Sequence, residues 1–350
     1  MENCTEKHIC ITRAGQERHL CTELLALGGP VECTDLELSV VELSGVSAAT
    51  FEAFPLFFSR QLLPNAQALS ASSIKTWATA ITQKLIEQLG ESTTAWRLHI
   101  FDPATADTGE RYARPRLIQQ EVLAILKQKR RSLLKTLVDE RGGEGTLVQV
   151  VTFSPTGGFI SFADQKLCST LSPTISPEVA GYVNIPDDRT PPSRAFKKLR
   201  EAITVFGLSF KRGMHCVDLG ACPGGWAHVL LEHECRVTAI DRTPLDPPLM
   251  RNRDLIFVQG DAFTWAPEKP VDWMVCDVIT SPDRTVELLK RWLEEKLCRS
   301  FCVTVKFKGD PDFNALRELR ELLAQRCSWF SMKQLTNNKN ELTVVGRAAK

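Results

Sequence analysis

At 350 residues the chain is long enough for two or three domains. Apolar residues make up 43% of it, enough for real cores, and a formal net charge of +1 excludes a uniformly basic or acidic protein, so any nucleic-acid surface has to come from local clustering. No stretch approaches about 20 uninterrupted apolar residues, so no transmembrane helix is expected, and an opening that carries Glu2, Glu6, Lys7 and His8 is not a secretory signal.

In chain order, HICITR reads as a strand, ERHLCTELLAL as an amphipathic helix and VELSGV as another strand. IKTWATAITQKLIEQLG follows as a long helix with Ile74, Trp77, Ile81 and Ile86 near helical spacing. WRLHIFD is a strand stopped by the Pro103 turn, and RLIQQEVLAILKQKRRSLLKTLV reads as a second long helix. TLVQVVTF and GFISFA form a predicted hairpin across residues 154–158. This is an α+β region of two small subdomains. Between Leu171 and Ser193, Pro173, Pro177, Pro186, Pro191 and Pro192 interrupt any regular element, which predicts a linker, and the apolar Tyr182, Val183 and Ile185 give it something to pack with.

Beyond it the β/α alternation is regular. MHCVDLG, CRVTAID, LIFVQG, VDWMVCDV and SFCVTVKF read as strands; GWAHVLLEH, TVELLKRWLEEKL and FNALRELRELLAQ read as helices. Near-continuous apolar strands indicate a parallel sheet covered on both faces. WFSMKQL and ELTVVGR, joined across residues 337–340, close the chain as a predicted hairpin, an ending typical of methyltransferase sheets rather than nicotinamide-binding ones. The 12 cysteines are scattered, with no C-x-x-C pair, and Cys216, Cys235, Cys276 and Cys302 lie in apolar runs. Reduced, core-type thiols in a reducing cytoplasm are expected rather than disulfides or a metal site.

The strongest local signal is VDLGACPGGW, between a strand and a helix. Gly220, Gly224 and Gly225 let the backbone approach a ligand, and the helix N-terminus supplies unpaired N–H groups beside Cys222, Pro223 and Trp226. The next strand ends in Asp241, about twenty residues on, where a carboxylate can grip a ribose. Asp261, after the third strand, can accept from an adenine amino group. A generic dinucleotide fold is disfavoured because the loop reads G-x-x-x-G-G, not G-x-G-x-x-G, and Pro223 removes an N–H that a pyrophosphate would use. Cys222 has no histidine base at motif distance, which disfavours a nucleophile.

DLGACPGGW, the preceding SRAFKKL, the VCDV strand end, VTVKFK and the closing NELTVVG together resemble the FtsJ-type RNA 2′-O-ribose methyltransferases, and within them the bacterial enzymes that act on a cytidine of large-subunit, 23S-type rRNA. The match is strong over about Pro192 to Gly346. FPLFFSRQ, from Phe54 to Gln61, and the opening Thr12-Arg13-Ala14-Gly15 are similar to that family's N-terminal region. The resemblance implies an α/β fold: a Rossmann-like class I methyltransferase domain with a mixed sheet and terminal hairpin at 193–350. Before it come a ferredoxin-like piece at 1–62, a THUMP-like RNA-binding domain at 63–170 and the linker at 171–192. It implies S-adenosylmethionine as cofactor, held by the residues above together with Asp277, and RNA as partner, with large-subunit rRNA or its precursor as the substrate. No membrane, metal or obligate protein partner is expected.

The family's Lys-Asp-Lys-Glu tetrad maps onto Lys198 in SRAFKKL, Asp277 in VCDV, Lys306 in VTVKF and Glu341 in NEL. A ribose hydroxyl is a very weak acid and needs a base or a strongly cationic pocket. A second lysine nearby and partial burial favour the neutral, proton-accepting form of Lys306, while the two carboxylates orient the pair. The neighbour Lys197 leaves a choice of register, which the SRAxxKL spacing resolves to Lys198. Some relatives carry a cofactor-contacting serine where this chain has Ala195, so a side-chain contact there is lost.

For RNA, Arg111, Arg114, Arg116, Lys127, Lys129, Arg130, Arg131 and Lys135 fall between Arg111 and Val138 with Glu121 as the one acid. Such density suits phosphate contacts, although a solvated helix face gives the same pattern. Arg194, with Lys197, Lys198 and Arg200, forms a second basic cluster beside the tetrad. Three classes compete: an RNA ribose methyltransferase of this or another RNA site (tRNA, a different rRNA position, a cap), a non-catalytic binding protein on the same fold, and a nicotinamide oxidoreductase.

Overall fold

The structure is a computed structural model that describes residues 6–26, 31–36, 38–53, 55–90, 92–139 and 144–349. Residues 1–5, Leu27 of the first expected helix and Phe54 of FPLFFSRQ lie outside these. The chain divides into two units, Met1–Val183 and Asn184–Lys350.

The first unit holds two four-stranded sheets. One is built from β1 (His8–Thr12), α1 (Glu17–Ala26), β2 (Glu32–Asp35), β3 (Val40–Ser44), α2 (Thr50–Ala53) and β4 (Ser59–Leu63). Its strand order is β2-β3-β1-β4, all antiparallel, the split β-α-β-β-α-β arrangement. Buried Glu23 of α1 accepts the backbone N–H groups of Phe57 and Phe58 at 2.7 and 3.1 Å, which fixes the FPLFFSRQ segment as it enters β4. Sequence reading found β1 and β3 and missed β2 and β4. The first is a polar, exposed edge; the second, SRQLL, is buried along its whole length although three of its five residues are polar.

The second sheet has β5 (Gln67–Ser70), β6 (Trp96–Phe101), β7 (Thr146–Thr152) and β8 (Gly157–Ala163) in the order β5-β8-β7-β6. It is covered by α3 (Ile74–Leu89), which opens on a capping box between Ser73 and Thr76, and α5 (Ala113–Lys129). Trp77, Ile81, Leu85, Ile118, Val122 and Leu126 form their common core. The short α4 (Thr105–Thr108) lies between β6 and α5. The expected second long helix is two helices: α5 stops at Arg130 (φ −153°, ψ 65°) and α6 (Arg131–Thr136) starts afresh. Residues 127–131 offer no apolar side chain to the core, Lys127 and Arg131 would repel at helical spacing, and the Arg130 guanidinium turns to the carbonyl of Gly90 at 2.9 Å. After α7 (Gln165–Thr170) the proline-rich stretch packs rather than floats: Leu171, Ile175, Ala180 and Val183 are buried, and the unit boundary falls after Val183.

The cysteine expectation needs one correction. Cys21 of α1 and Cys33 of β2 are joined as a disulfide, with Cα atoms 5.7 Å apart, because the helix packs on the strand that follows it. The other nine described cysteines are free thiols. Among the described residues no helix is long and apolar enough to cross a membrane.

The second unit starts with α8 (Phe196–Phe206) and continues β9 (His215–Leu219), α9 (Gly225–Glu232), β10 (Arg236–Asp241), α10 (Pro247–Met250), β11 (Leu255–Gln259), β12 (Val271–Cys276), α11 (Pro282–Glu294), β13 (Cys298–Lys306), α12 (Phe313–Arg326), β14 (Cys327–Lys333) and β15 (Glu341–Ala348). One seven-stranded sheet runs β11-β10-β9-β12-β13-β15-β14. Its first five strands are parallel; β15 is antiparallel to both β13 and β14. The predicted strands and terminal hairpin therefore appear as read. Strand order reverses between β9 and β12, so the crevice for a ligand opens at their carboxyl ends.

Candidate active site

The loop after β9 is shaped by its glycines. Gly220 has φ +71° and Gly224, which caps α9, has φ +112°; a Cβ on Gly220 would strike the side chain of Val278, and one on Gly225 the Ser193 hydroxyl. Asp241 at the end of β10 accepts the N–H of Cys222 at 3.0 Å and that of Thr243 at 2.9 Å, so it holds the loop while facing the crevice. Trp226 Nε1 donates to the Ala195 carbonyl at 2.9 Å and ties α9 to the start of α8. This bond uses the Ala195 backbone, so it is independent of the side chain at that position. Burial and the nearby Asp241 raise the Cys222 thiol, which leaves it a poor nucleophile.

A cleft of about 270 Å³ runs from Gly220 past Asp241 and Asp261 to Phe263, Ile279 and Arg284. Asp261 is not the free acceptor expected. Its carboxylate accepts the Phe263 N–H at 2.8 Å and pairs with Arg242, and both hold it below the usual carboxylate range. Arg242 is 79% exposed, so the pair is weak and can open to a ligand. Arg284 lies 4.1 Å over the Phe263 ring. Neither arginine was singled out from sequence, since each is one exposed cation in a loop or first helical turn.

A smaller pocket of about 70 Å³ adjoins the first at Gly220 and is lined by Ser193, Ala195, Asp218, Cys222, Trp226 and Asp277, among others. Two buried polar atoms here have no hydrogen-bond partner: the Ser193 hydroxyl and Asp218 Oδ2. Burial, together with Asp277 and Asp241 nearby, pushes the Asp218 carboxyl up to about 8. A glycine cradle, a strand-end carboxylate and orphaned polar atoms together fit a nucleoside-bearing ligand with a polar tail.

The four residues of the expected tetrad meet at the next strand ends. Asp277 follows β12, Lys306 is the last residue of β13, and Glu341, the first residue of β15, is its direct antiparallel partner. Lys198, on the first turn of α8, contacts both Asp277 oxygens at 3.1 Å and Glu341 Oε1 at 2.7 Å. Lys306 Nζ lies 2.9 Å from Asp277 Oδ1, 2.7 Å from the Asp277 carbonyl and 3.7 Å from Glu341 Oε2. Glu341 is nearly buried (4% exposed), whereas both lysines stay reachable at 15–17%. Lys197 is not part of the cluster; it pairs with Asp187 at 2.7 Å.

Two supports were not legible in the sequence. Thr304 donates its hydroxyl to Asp277 Oδ1 at 2.7 Å. Glu201 of α8 accepts the N–H groups of Thr336 and Asn337 at 2.6 and 2.8 Å, and so anchors the β14–β15 turn that delivers Glu341. Asn338 within that turn reaches Thr343 at 3.1 Å and Glu341 at 3.5 Å.

The basic residues fare differently. Arg116, Lys127, Lys129, Arg130 and Arg131 are exposed; Arg114 is half-buried and donates to the Pro155 carbonyl. They do not form one helical face. Arg114 and Arg116 sit at the start of α5, Lys127 and Lys129 in its last turn about 16 Å further on, and Arg130 and Arg131 at the break where α6 begins. In the cluster beside the tetrad, Arg200 is held by Asp188 and Glu232, whereas Arg194, 86% exposed, has only a solvent-exposed pairing with Asp187 at 3.7 Å.

A family model described as FtsJ-like methyltransferase matches residues 191–347. Three curated relatives carry the name Ribosomal RNA large subunit methyltransferase M. That of Azoarcus sp. (strain BH72) is 37% identical over 175 residues, 46% of this chain and 48% of that protein. That of Xylella fastidiosa (strain M12) is 34% identical over 195 residues, 53% and 56%. The chain thus spans about half the length of these two. That of Thauera aminoaromatica is 28% identical over 357 aligned positions, 95% of this chain and 93% of the relative. The similarity to FtsJ-like methyltransferases thus covers residues 191–347, a little under half of the chain.

Proposed function

We propose that the chain transfers a methyl group from S-adenosylmethionine to a ribose 2′-hydroxyl of RNA, and that its substrate is large-subunit rRNA, at a cytidine. The observation that carries the reading is the compact Lys198-Asp277-Lys306-Glu341 cluster beside the glycine loop. Relatives named for large-subunit rRNA supply the substrate class.

Bound S-adenosylmethionine supplies an electrophilic methyl group on a sulfonium. Gly220, Cys222, Pro223, Gly224, Gly225 and Trp226 would cradle it, with Asp241 on the ribose, Asp261 on the adenine once Arg242 moves aside, and Asp277 near the reacting end. Lys306 Nζ is aimed by two oxygens of Asp277; once it has given a proton to solvent, its free amine receives the proton that leaves the substrate hydroxyl. Lys198 offsets the charge of both carboxylates, and Glu341 keeps the lysines on one side of the strand edge. Alignment of hydroxyl and methyl group supplies the rest of the acceleration. Arg114, Arg116, Lys127, Lys129, Arg130, Arg131 and Arg194 are the proposed phosphate contacts.

Incubating the full chain with methyl-labelled donor and rRNA tests this directly. Label should enter RNA and protect one linkage from alkaline cleavage, as a 2′-O-methyl does. Label in a base, or cofactor binding without transfer, would favour respectively another methyltransferase class or a non-catalytic binding protein.

A further inference from the structure

Asp218 is 2% exposed, on the strand that leads into the glycine loop, and it lines the smaller pocket. One of its oxygens takes the Ala227 N–H from α9; the other has no partner. The charged groups that face it are carboxylates, Asp277 from β12 and Asp241 from β10; the thiols nearby are Cys276 of β12 and Cys216 of its own strand. Burial raises the Cys276 thiol to about 12, and the hydrogen bond with Cys235, together with burial, raises that of Cys216, so neither supplies charge at neutral pH. The two lysines close by are already matched one for one by Asp277 and Glu341. Asp218 therefore has burial and two like charges against ionisation and no cation of its own for it.

Resting on the cofactor assignment above, we propose that Asp218 is a neutral carboxylic acid in the unliganded protein and gives up its proton when the α-ammonium of the cofactor's amino-acid end enters the pocket. The O–H bond of the carboxyl breaks, the proton passes to solvent, and the ammonium N–H groups bond to the oxygen that has no partner in the protein. An N–H donor is needed there, which is why the ammonium and not the sulfonium is assigned. Cofactor loading is then coupled to proton release, and loading becomes easier as pH rises towards about 8.

The sign for stability follows. A carboxyl raised in the folded state binds a proton that the unfolded chain has lost, so its contribution to stability falls as pH rises from about 4 to about 8 and is flat above.

Two measurements on the full chain test the proposal. The first uses no ligand: denaturant unfolding of wild type and Asp218→Asn at about pH 5 and about pH 8. The wild type should lose stability relative to the variant across this range; parallel behaviour would overturn the neutral acid. The second is calorimetry of S-adenosylhomocysteine and of S-adenosylmethionine at about pH 6, in buffers of different ionisation enthalpy. Both ligands should release close to one proton per molecule bound, and Asp218→Asn should release almost none and bind more weakly. Release with S-adenosylmethionine alone would overturn the ammonium assignment, and tight binding without release would overturn the coupling. If neither ligand binds while the unliganded pH effect holds, the cofactor assignment fails and takes the coupling with it, and the neutral acid stands.

Discussion

In residues 6–183 the buried seam between β4 and β7 is made of neutral groups. Gln61 Nε2 donates to Gln149 Oε1 at 2.6 Å, Gln149 Nε2 to the Leu62 carbonyl at 3.0 Å, and Gln61 Oε1 accepts the Ser176 N–H at 2.7 Å. At the strand ends of residues 184–349 the corresponding side chains are charges of both signs, two lysines and two carboxylates within 2.7–3.7 Å. A neutral ladder fixes two layers in register at little desolvation cost. A partly buried charge cluster is an expensive way to hold a fold, since well-packed apolar residues do as well. Its place at the carboxyl ends of the parallel strands, with both lysines still reachable, is why we propose chemistry rather than architecture for it.

That contrast can be broken from either side. The largest effect belongs to Lys306→Ala, which should lower methyl transfer by about 10²–10⁴-fold, the range for loss of a general base, with circular dichroism and cofactor affinity close to wild type. A variant that fails to fold would place Lys306 with the architecture instead. Asp241→Ala comes next. It should weaken S-adenosylhomocysteine binding by about 1–3 kcal/mol in calorimetry, because a charged acceptor and the anchor of the Cys222 loop are lost together.

In the neutral seam the expected result is reversed. Gln61→Ala leaves the Ser176 N–H and the Gln149 carbonyl oxygen unpaired, and should cost about 1–3 kcal/mol of unfolding free energy while transfer per folded molecule stays unchanged. The smallest effect is expected from joint charge reversal of Lys129, Arg130 and Arg131. RNA affinity should fall and its log–log salt slope flatten by about 2, if all three contact single-stranded phosphates. An unchanged slope would make them ordinary solvated cations at the break between α5 and α6.

The same contrast explains what could be read from sequence. The parallel strands were legible because VDWMVC and SFCVTVK are apolar enough to be buried on both faces. Lys198, Asp277, Lys306 and Glu341 were legible as motif positions, each beside a strand or helix end. SRQLL was not, because its buried amide, Gln61, is satisfied by partners about 90 and 115 residues away that no local pattern announces. Glu201 is hidden for the same reason: on an amphipathic helix it reads as solvent-facing, and only the returning hairpin turn explains its burial. The Arg130 break and the Cys21–Cys33 link likewise depend on what the neighbouring elements present, Gly90 in one case and β2 in the other.

Lys306→Arg tests the central claim most directly. Arginine keeps the positive charge beside Asp277 and Glu341 but cannot surrender its proton at working pH. With labelled S-adenosylmethionine and rRNA under single-turnover conditions, the account predicts a loss as deep as that of Lys306→Ala, with cofactor binding retained. An arginine variant that transfers methyl at a near-normal rate would contradict it: Lys306 would then serve only as a cation, and the hydroxyl proton would leave by another route.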